Sequence, residues 1–340
     1  MKRTILYVVL AFIVAPIFVS CYQSHKKKLD LAYALVESRP DSALALMKHI
    51  DQEGLSKEEM AKYALTYYIA QDKSGLDLDN DSLIRIAYDW YEGHQEDSLY
   101  VLCLNYMGKF YLLVDSMEQA KSCLEKAYFI SDSLHKMNVK RLVLDKLIEV
   151  EEQLEPYKAL RYAKDMLKMY DSMANVTIYN KVAARLRLGE NFFYVGSLQH
   201  ALEEERKAYR MAMKAGDSNL LSYVRQNLAS TFEEMGEKDS CLYYARLAYD
   251  LNAANRFSCL LTFASAYISV DSLNQAFSLL SQALPKTAED RYSVFYFQSQ
   301  AAMKAQDFKS AKSFSDSAYH YLEDMYRTAL QGKAAYYTSF

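Results

Sequence analysis

Val101-Leu-Cys-Leu-Asn-Tyr-Met-Gly-Lys-Phe-Tyr-Leu-Leu-Val-Asp-Ser-Met-Glu-Gln-Ala-Lys-Ser-Cys-Leu-Glu-Lys-Ala127 is the stretch that decides the fold. Leu104, Met107, Gly108 and Tyr111 recur at three- and four-residue steps, which places them on one face of a helix. Ala120, Leu124 and Ala127 repeat that spacing after a break at Asp115-Ser116. Two helices joined by a short turn are expected. Gly108 lets the second helix approach closely, and the alanines sit where helices cross and nothing larger fits.

The pattern recurs along the chain. Leu188-Gly189, Phe192, Gly196, Ala201 and Ala208 form one copy, and Leu228-Ala229, Phe232, Gly236, Cys241, Ala245 and Ala248 form another. Leu260, Phe263-Ala264, Tyr267, Ala276, Leu280 and Ala283 form a third, with weaker copies centred on Ala43, Leu83, Ala159 and Ala311. The small-residue position thus falls at 43, 83, 120, 159, 201, 241, 276 and 311. Eight regular copies predict an all-α array of about eight helical hairpins over 29–325. Asp-Ser pairs (Asp41-Ser42, Asp81-Ser82, Asp115-Ser116, Asp239-Ser240, Asp271-Ser272) precede the second helices. Their side chains are expected to cap those helices by accepting from backbone N–H groups.

Composition agrees with long helices. The chain has 340 residues, half of them apolar, with only nine glycines and four prolines to make turns. Its net charge of −3 is spread along the sequence, and no basic stripe suggests nucleic acid. Thirty tyrosines against one tryptophan favour helix faces that end in water. Catalytic and cofactor signatures are lacking. The six histidines are scattered, and no HExxH, P-loop, GxGxxG or GxSxG occurs. No enzymatic activity, metal or cofactor is expected. Cys103, Cys123, Cys241 and Cys259 have no CxxC spacing. Disulfides remain open, and a small buried apolar role suits Cys241 better.

The amino terminus has the layout of a targeting segment. Lys2 and Arg3 precede an apolar run from Ile5 to Val19 broken only by Pro16. That run is shorter than the roughly 20 residues of a membrane span. Residues 1–20 are expected to be a signal peptide and 21–28 a basic tether.

Three resemblances follow from these residues. Phe18-Val19-Ser20-Cys21 resembles a bacterial lipobox, with Phe18 in place of the usual Leu. It implies cleavage before Cys21, a lipid on its thiol and a membrane-anchored chain outside the cytoplasm. Ordinary cleavage or an uncleaved anchor are the alternatives. The repeat offsets resemble the tetratricopeptide (TPR) pattern and imply a right-handed superhelix that binds a protein or peptide. Arg39-Pro40-Asp41-Ser42-Ala43-Leu44-Ala45-Leu46 looks like the tetratricopeptide proteins of Bacteroidetes, which implies a cell-envelope setting.

In resembling proteins the concave groove is lined from fixed offsets in each first helix. Those offsets give Asn105, Lys109, Leu112 and Arg141, then Glu190, Phe193 and Tyr194, then Tyr223, Gln226 and Glu233, and finally Tyr296 and Gln300. An interaction scaffold is the first functional expectation. A sensor ectodomain of a membrane-linked regulator is the second, and a glycan-binding lipoprotein the third. Residues 326–340 are read as an extension of the last helix that caps the array with a frayed end, with self-association or continuation towards a membrane helix as the alternatives.

Overall fold

The structure is a computed structural model that describes residues 26–338, except 77, 79, 80, 95–97, 135, 136, 175 and 252. Side chains are described up to 328, apart from that of Asn138. The expected signal peptide, Cys21 and the side chains of Leu330, Tyr336, Tyr337 and Phe340 lie outside the described residues. Lys26, Lys27 and Lys28, expected in the tether, are already helical, and Leu29 beside them is buried.

Sixteen helices and no strand make up the described residues, and they pair in sequence. Helix α1 (26–35) precedes α2 (Pro40–Met47), and α3 (Lys57–Lys73) precedes α4 (Ser82–Tyr91). Then come α5 (Ser98–Leu113) with α6 (Met117–Ser133), and α7 (Met137–Leu154) with α8 (Pro156–Ser172). Next are α9 (Ile178–Tyr194) with α10 (Leu198–Ala215), and α11 (Ser218–Glu234) with α12 (Lys238–Tyr249). The last pairs are α13 (Arg256–Ser269) with α14 (Leu273–Leu280), and α15 (Ala288–Lys304) with α16 (Phe308–Thr338). The chain divides into two compact units, one reaching Lys146 and one starting at Leu147.

A single rule places the second helices. Ala43, Ala120, Ala159, Ala201, Cys241, Ala276 and Ala311 are each the fourth residue of their helix, and all are buried. At that position the backbone N–H donates to the carbonyl of the residue before the helix, as Ala120 does to Ser116 at 3.0 Å. One turn into the helix the chain first meets its partner, so a bulky side chain would hold the two axes apart. A Cβ on Gly108 would lie 2.6 Å from Leu124 Cγ, which is why the first helix carries glycine there.

The small-residue position expected at Leu83, in the second hairpin, is corrected. In α4 the fourth residue is Arg85, whose guanidinium turns back to the Asp81 carboxylate. Ile84 and Ala87 are fully buried, while Leu83 is half-buried.

The Asp-Ser capping expectation is also overturned. Asp41 and Asp239 lie in the first turn of their helices, and Asp81, Ser116 and Ser272 sit at N-caps without a side-chain cap bond. Side-chain caps occur on the first helices instead. Ser56 and Thr287 form capping boxes with Glu59 and Asp290, and Thr177 and Asp217 each accept one backbone N–H.

The inner turns are closed by backbone geometry. Asp115, Gly196, Gly236, Asp271 and Gln306 all have φ between 52° and 75°. After each, the next N–H reaches back five residues: Ser116 to Tyr111, Ser197 to Phe192, Glu237 to Phe232, Ser272 to Tyr267, and Asp307 to Ala302, at 2.8–3.0 Å. This is the Schellman closure, which satisfies the last carbonyls of one helix.

Candidate functional site

First helices of neighbouring hairpins touch within the second unit: α9 meets α11, α11 meets α13, and α13 meets α15. They make one side of that unit, and the candidate ligand residues from Glu190 onward lie on them.

Polar bonds that step from one first helix to the next occupy much of this side. Asn191 Nδ2 donates to Glu152 Oε1 at 2.9 Å, joining α9 to α7. Asn227 Nδ2 donates to Glu190 Oε1 at 3.0 Å, joining α11 to α9. Ser265 Oγ donates to Glu233 Oε1 at 2.6 Å, and Asn255 Nδ2 to Gln226 Oε1 at 2.9 Å, both joining α13 or its N-cap to α11. Lys304 completes the series on α15, donating to the Ile268 carbonyl at 2.5 Å and pairing with Asp271 at 3.0 Å. The first unit follows the same scheme. Lys109 pairs with Asp72, and Lys73 with Glu37 at 2.8 Å.

The expected ligand residues therefore separate into groups. Lys109, Glu190, Gln226 and Glu233 bond to the neighbouring hairpin and hold the face in register. Asn105 is corrected: it is buried at 6% exposure, with Oδ1 lacking a hydrogen-bond partner. Helix α5 packs between α4 and α6, and this closes over the offset that the pattern assigns to the groove. Leu112, Arg141 and Phe193 are half-buried, and Gln300 is exposed. Tyr194, Tyr223 and Tyr296 stand out from the surface, at 59%, 45% and 42% exposure. Phe193 meets Tyr194 edge-on at 6.1 Å, and Tyr296 stacks on Tyr292 at 6.0 Å, so these rings are braced.

The inter-helix partners Asp72, Glu152, Asn191, Asn227 and Ser265 were missed from sequence. A signal existed: complementary polar residues one repeat apart on equivalent helices, such as Asp72 with Lys109 and Glu190 with Asn227.

Electrostatics on this side are governed by burial. The Glu152 carboxyl is raised above its ordinary range by desolvation, and Arg187 at 3.5 Å only partly opposes that. Burial likewise raises the Tyr194 hydroxyl, with Glu152 and Glu190 adding to it. Behind the face, Glu205 of α10 is buried, pushed up to about 7 by desolvation, and bonded through Oε1 to the Thr231 hydroxyl at 2.7 Å. No group of three or more metal-ligating side chains occurs among the described residues. No helix among them is long and apolar enough to cross a membrane.

No family model matches the chain, and no curated protein matches its sequence. Solved structures do match in fold. The apo form of RapI is similar with a TM-score of 0.66 and 14% identity, over 88% of this chain and 86% of that one. A Rap protein complexed with Competence and Sporulation Factor gives 0.62 and 15%, over 92% and 94%. A signal-transduction ATPase with a tetratricopeptide repeat sensor, from Pyrococcus horikoshii, gives 0.59 and 14%, over 89% of this chain and 49% of that one. The helical hairpins, their fourth-residue crossings and these matches together identify the fold as the tetratricopeptide type.

Proposed function

We propose that this chain is a non-enzymatic, envelope-anchored scaffold that holds a protein or peptide segment on the first-helix side of its second unit. The observation that carries the proposal is three exposed tyrosines, Tyr194, Tyr223 and Tyr296, on helices already locked together by their own polar bonds, with Tyr194 packed on Phe193 and Tyr296 on Tyr292. Large aromatic rings, with only two side-chain torsions, lose little entropy on contact and bury much area, which suits recognition. The fold matches support the reading, one of them being a Rap protein complexed with Competence and Sporulation Factor. The lipid anchor rests on the lipobox-like Cys21. Affinity capture from envelope extract on full-length protein tests the scaffold role. The triple variant Tyr194→Ala, Tyr223→Ala, Tyr296→Ala should lose a captured protein while keeping its melting temperature. Retention of every captured protein by that variant would overturn the assignment of the face. Separately, Cys21→Ser should abolish acyl labelling and release the chain from membranes.

A sensor role is the second reading. It is favoured by the match to the ATPase whose repeat part is described as a sensor. A glycan ligand is disfavoured by the single tryptophan, since sugar-stacking sites lean on Trp.

A further inference from the structure

Each second helix turns one column of residues towards the hairpin that follows. Its middle member is the twelfth residue of the helix, which is tyrosine in α6, α10, α12 and α16: Tyr128, Tyr209, Tyr249 and Tyr319. In the first three the next first helix lays a cation over the ring. Lys140 of α7 is 4.8 Å from the Tyr128 centroid, Arg225 of α11 is 5.8 Å from that of Tyr209, and Arg256 of α13 is 4.2 Å from that of Tyr249. The neighbouring members of the column are covered as well. The eighth residue of α10, Glu205, bonds to Thr231 of α11, and the fifteenth residues of α6 and α10, Ser131 and Ala212, are fully buried. In α16 the same column is bare. Ser315 is exposed, Tyr319 is 67% exposed and Leu322 44%, and Tyr326 one turn on is 65% exposed. No cation lies over Tyr319 among the described residues, and no described helix follows α16.

We propose that a second copy of this chain covers the column, with the two α16 helices crossing antiparallel at Leu322 about a two-fold axis. The sequence of the helix is complementary to its own reverse about that point. Tyr319 and Tyr326 stand three and four residues to either side of Leu322, so each ring of one copy meets the other ring of the partner. Asp316 and Arg327 stand six and five residues to either side, on one flank of the column, so opposite charges face each other twice across the axis. Both are exposed, and Arg327 has only a Glu323 carboxylate 3.7 Å away on its own helix. A two-fold pair requires this arrangement, in which one patch fits itself. It continues the interface that already joins the hairpins, a second helix covered by another helix that brings a cation to its tyrosines. One helix pair buries less than the about 800 Å² per partner of a standard interface, so the dimer should be weak and concentration-dependent. The pairing is independent of which segment the first-helix side holds.

Sedimentation equilibrium of the full chain in mild detergent tests this. The protein should pass from monomer to dimer as its concentration rises to about 100 µM, and should stop at the dimer. Tyr319→Ser combined with Leu322→Ser should stay monomeric over that range with the melting curve of dilute wild type, because both side chains are exposed in the monomer. The charge pair gives a second arm that leaves the apolar column intact. Arg327→Asp sets like charges across the axis and should weaken the dimer roughly ten-fold. Adding Asp316→Arg to that chain restores opposite charges and should return the dimer to wild-type strength. A monomer at every concentration overturns the proposal. So does a dimer that survives the double serine variant, or one that the second charge change fails to rescue. Species that keep growing past the dimer also overturn it, since they would mean that α1 of another copy covers the column head to tail.

Discussion

Two side chains show how much one residue decides here. Glu205 occupies a place in α10 that Leu124, Ala163, Ala245 and Leu280 occupy in their hairpins, all buried or nearly so. It fits because Gly189 faces it: a Cβ there would lie 3.2 Å from Glu205 Cγ. Only Thr231 bonds to the carboxyl, and Oε2 is left without a partner. The folded protein therefore holds the acid in its neutral form, raised to about 7 from 4.5. A raised carboxyl stabilises the fold fully below its unfolded value, and the contribution is lost as pH rises through the folded value. Unfolding free energy should accordingly fall between about pH 4.5 and pH 7 by on the order of 3 kcal/mol at most, with melting temperature falling alongside. Glu205→Gln should flatten that segment of the profile and be more stable than wild type at pH 8. An unchanged profile would mean that another group sets it. Gly108 makes the complementary point by size. Gly108→Ala forces Leu124 away and should cost about 1–3 kcal/mol in thermal unfolding, although alanine is the better helix former.

Helices in this chain are positioned by their turns more than by their caps. The left-handed residue after the first helix is glycine at Gly75, Gly196 and Gly236, but Asp115, Asp271 and Gln306 in three other hairpins. Glutamine has no side-chain reason to adopt φ of 60°, so Gln306 is strained by the Schellman closure around it. Gln306→Gly should raise stability by about 0.5–1 kcal/mol, and Gly236→Ala should lower it by a similar amount. Equal shifts of the same sign in calorimetry would show that the turns are not under this strain. Those turns also explain what sequence could and could not disclose. Hairpin number and the buried alanines were legible because small residues recur at a fixed helical position. The capping role of the Asp-Ser pairs was misread because Asp41 and Asp239 fall inside the first turn, and Asp81, Ser116 and Ser272 have ψ of 2–69°, short of the extended backbone at Ser56, Thr177, Asp217 and Thr287 whose side chains do cap. Leu83 was misplaced because α4 has no small residue at its fourth position, where Arg85 stands, and buries Ile84 and Ala87 instead. On the candidate face, Lys109, Glu190, Gln226 and Glu233 were found as surface positions. Their engagement with the next hairpin depends on partners one repeat away, which inspection of a single repeat does not reveal.

At the scale of the molecule, each unit is a stack in which a hairpin touches mainly its neighbours, and this determines how damage spreads. Ala276 is fully buried where α14 crosses α13, and α14 also packs on α15. Ala276→Asp places a charge at a fully buried position, and it also exceeds the space available. The cost should be roughly 3–5 kcal/mol. Short α14, with eight residues, has little other burial to absorb that loss. In a stack stabilised by nearest-neighbour contacts, the hairpins beside the lesion lose one interface each, while distant ones lose none. Hydrogen exchange should therefore show protection falling first in α13–α16, then in α11–α12, with α2–α6 of the first unit close to wild type. Ser278→Asp is the control, because it adds the same charge two residues away at an exposed position of the same helix. It should leave exchange unchanged throughout. If both variants lost protection equally, charge on α14 rather than burial at the crossing would be responsible, and the fourth-residue rule would fail. If Ala276→Asp instead unfolded α2–α6 together with α13–α16 in one step, the two units would melt as a single cooperative body and the nearest-neighbour account would not hold.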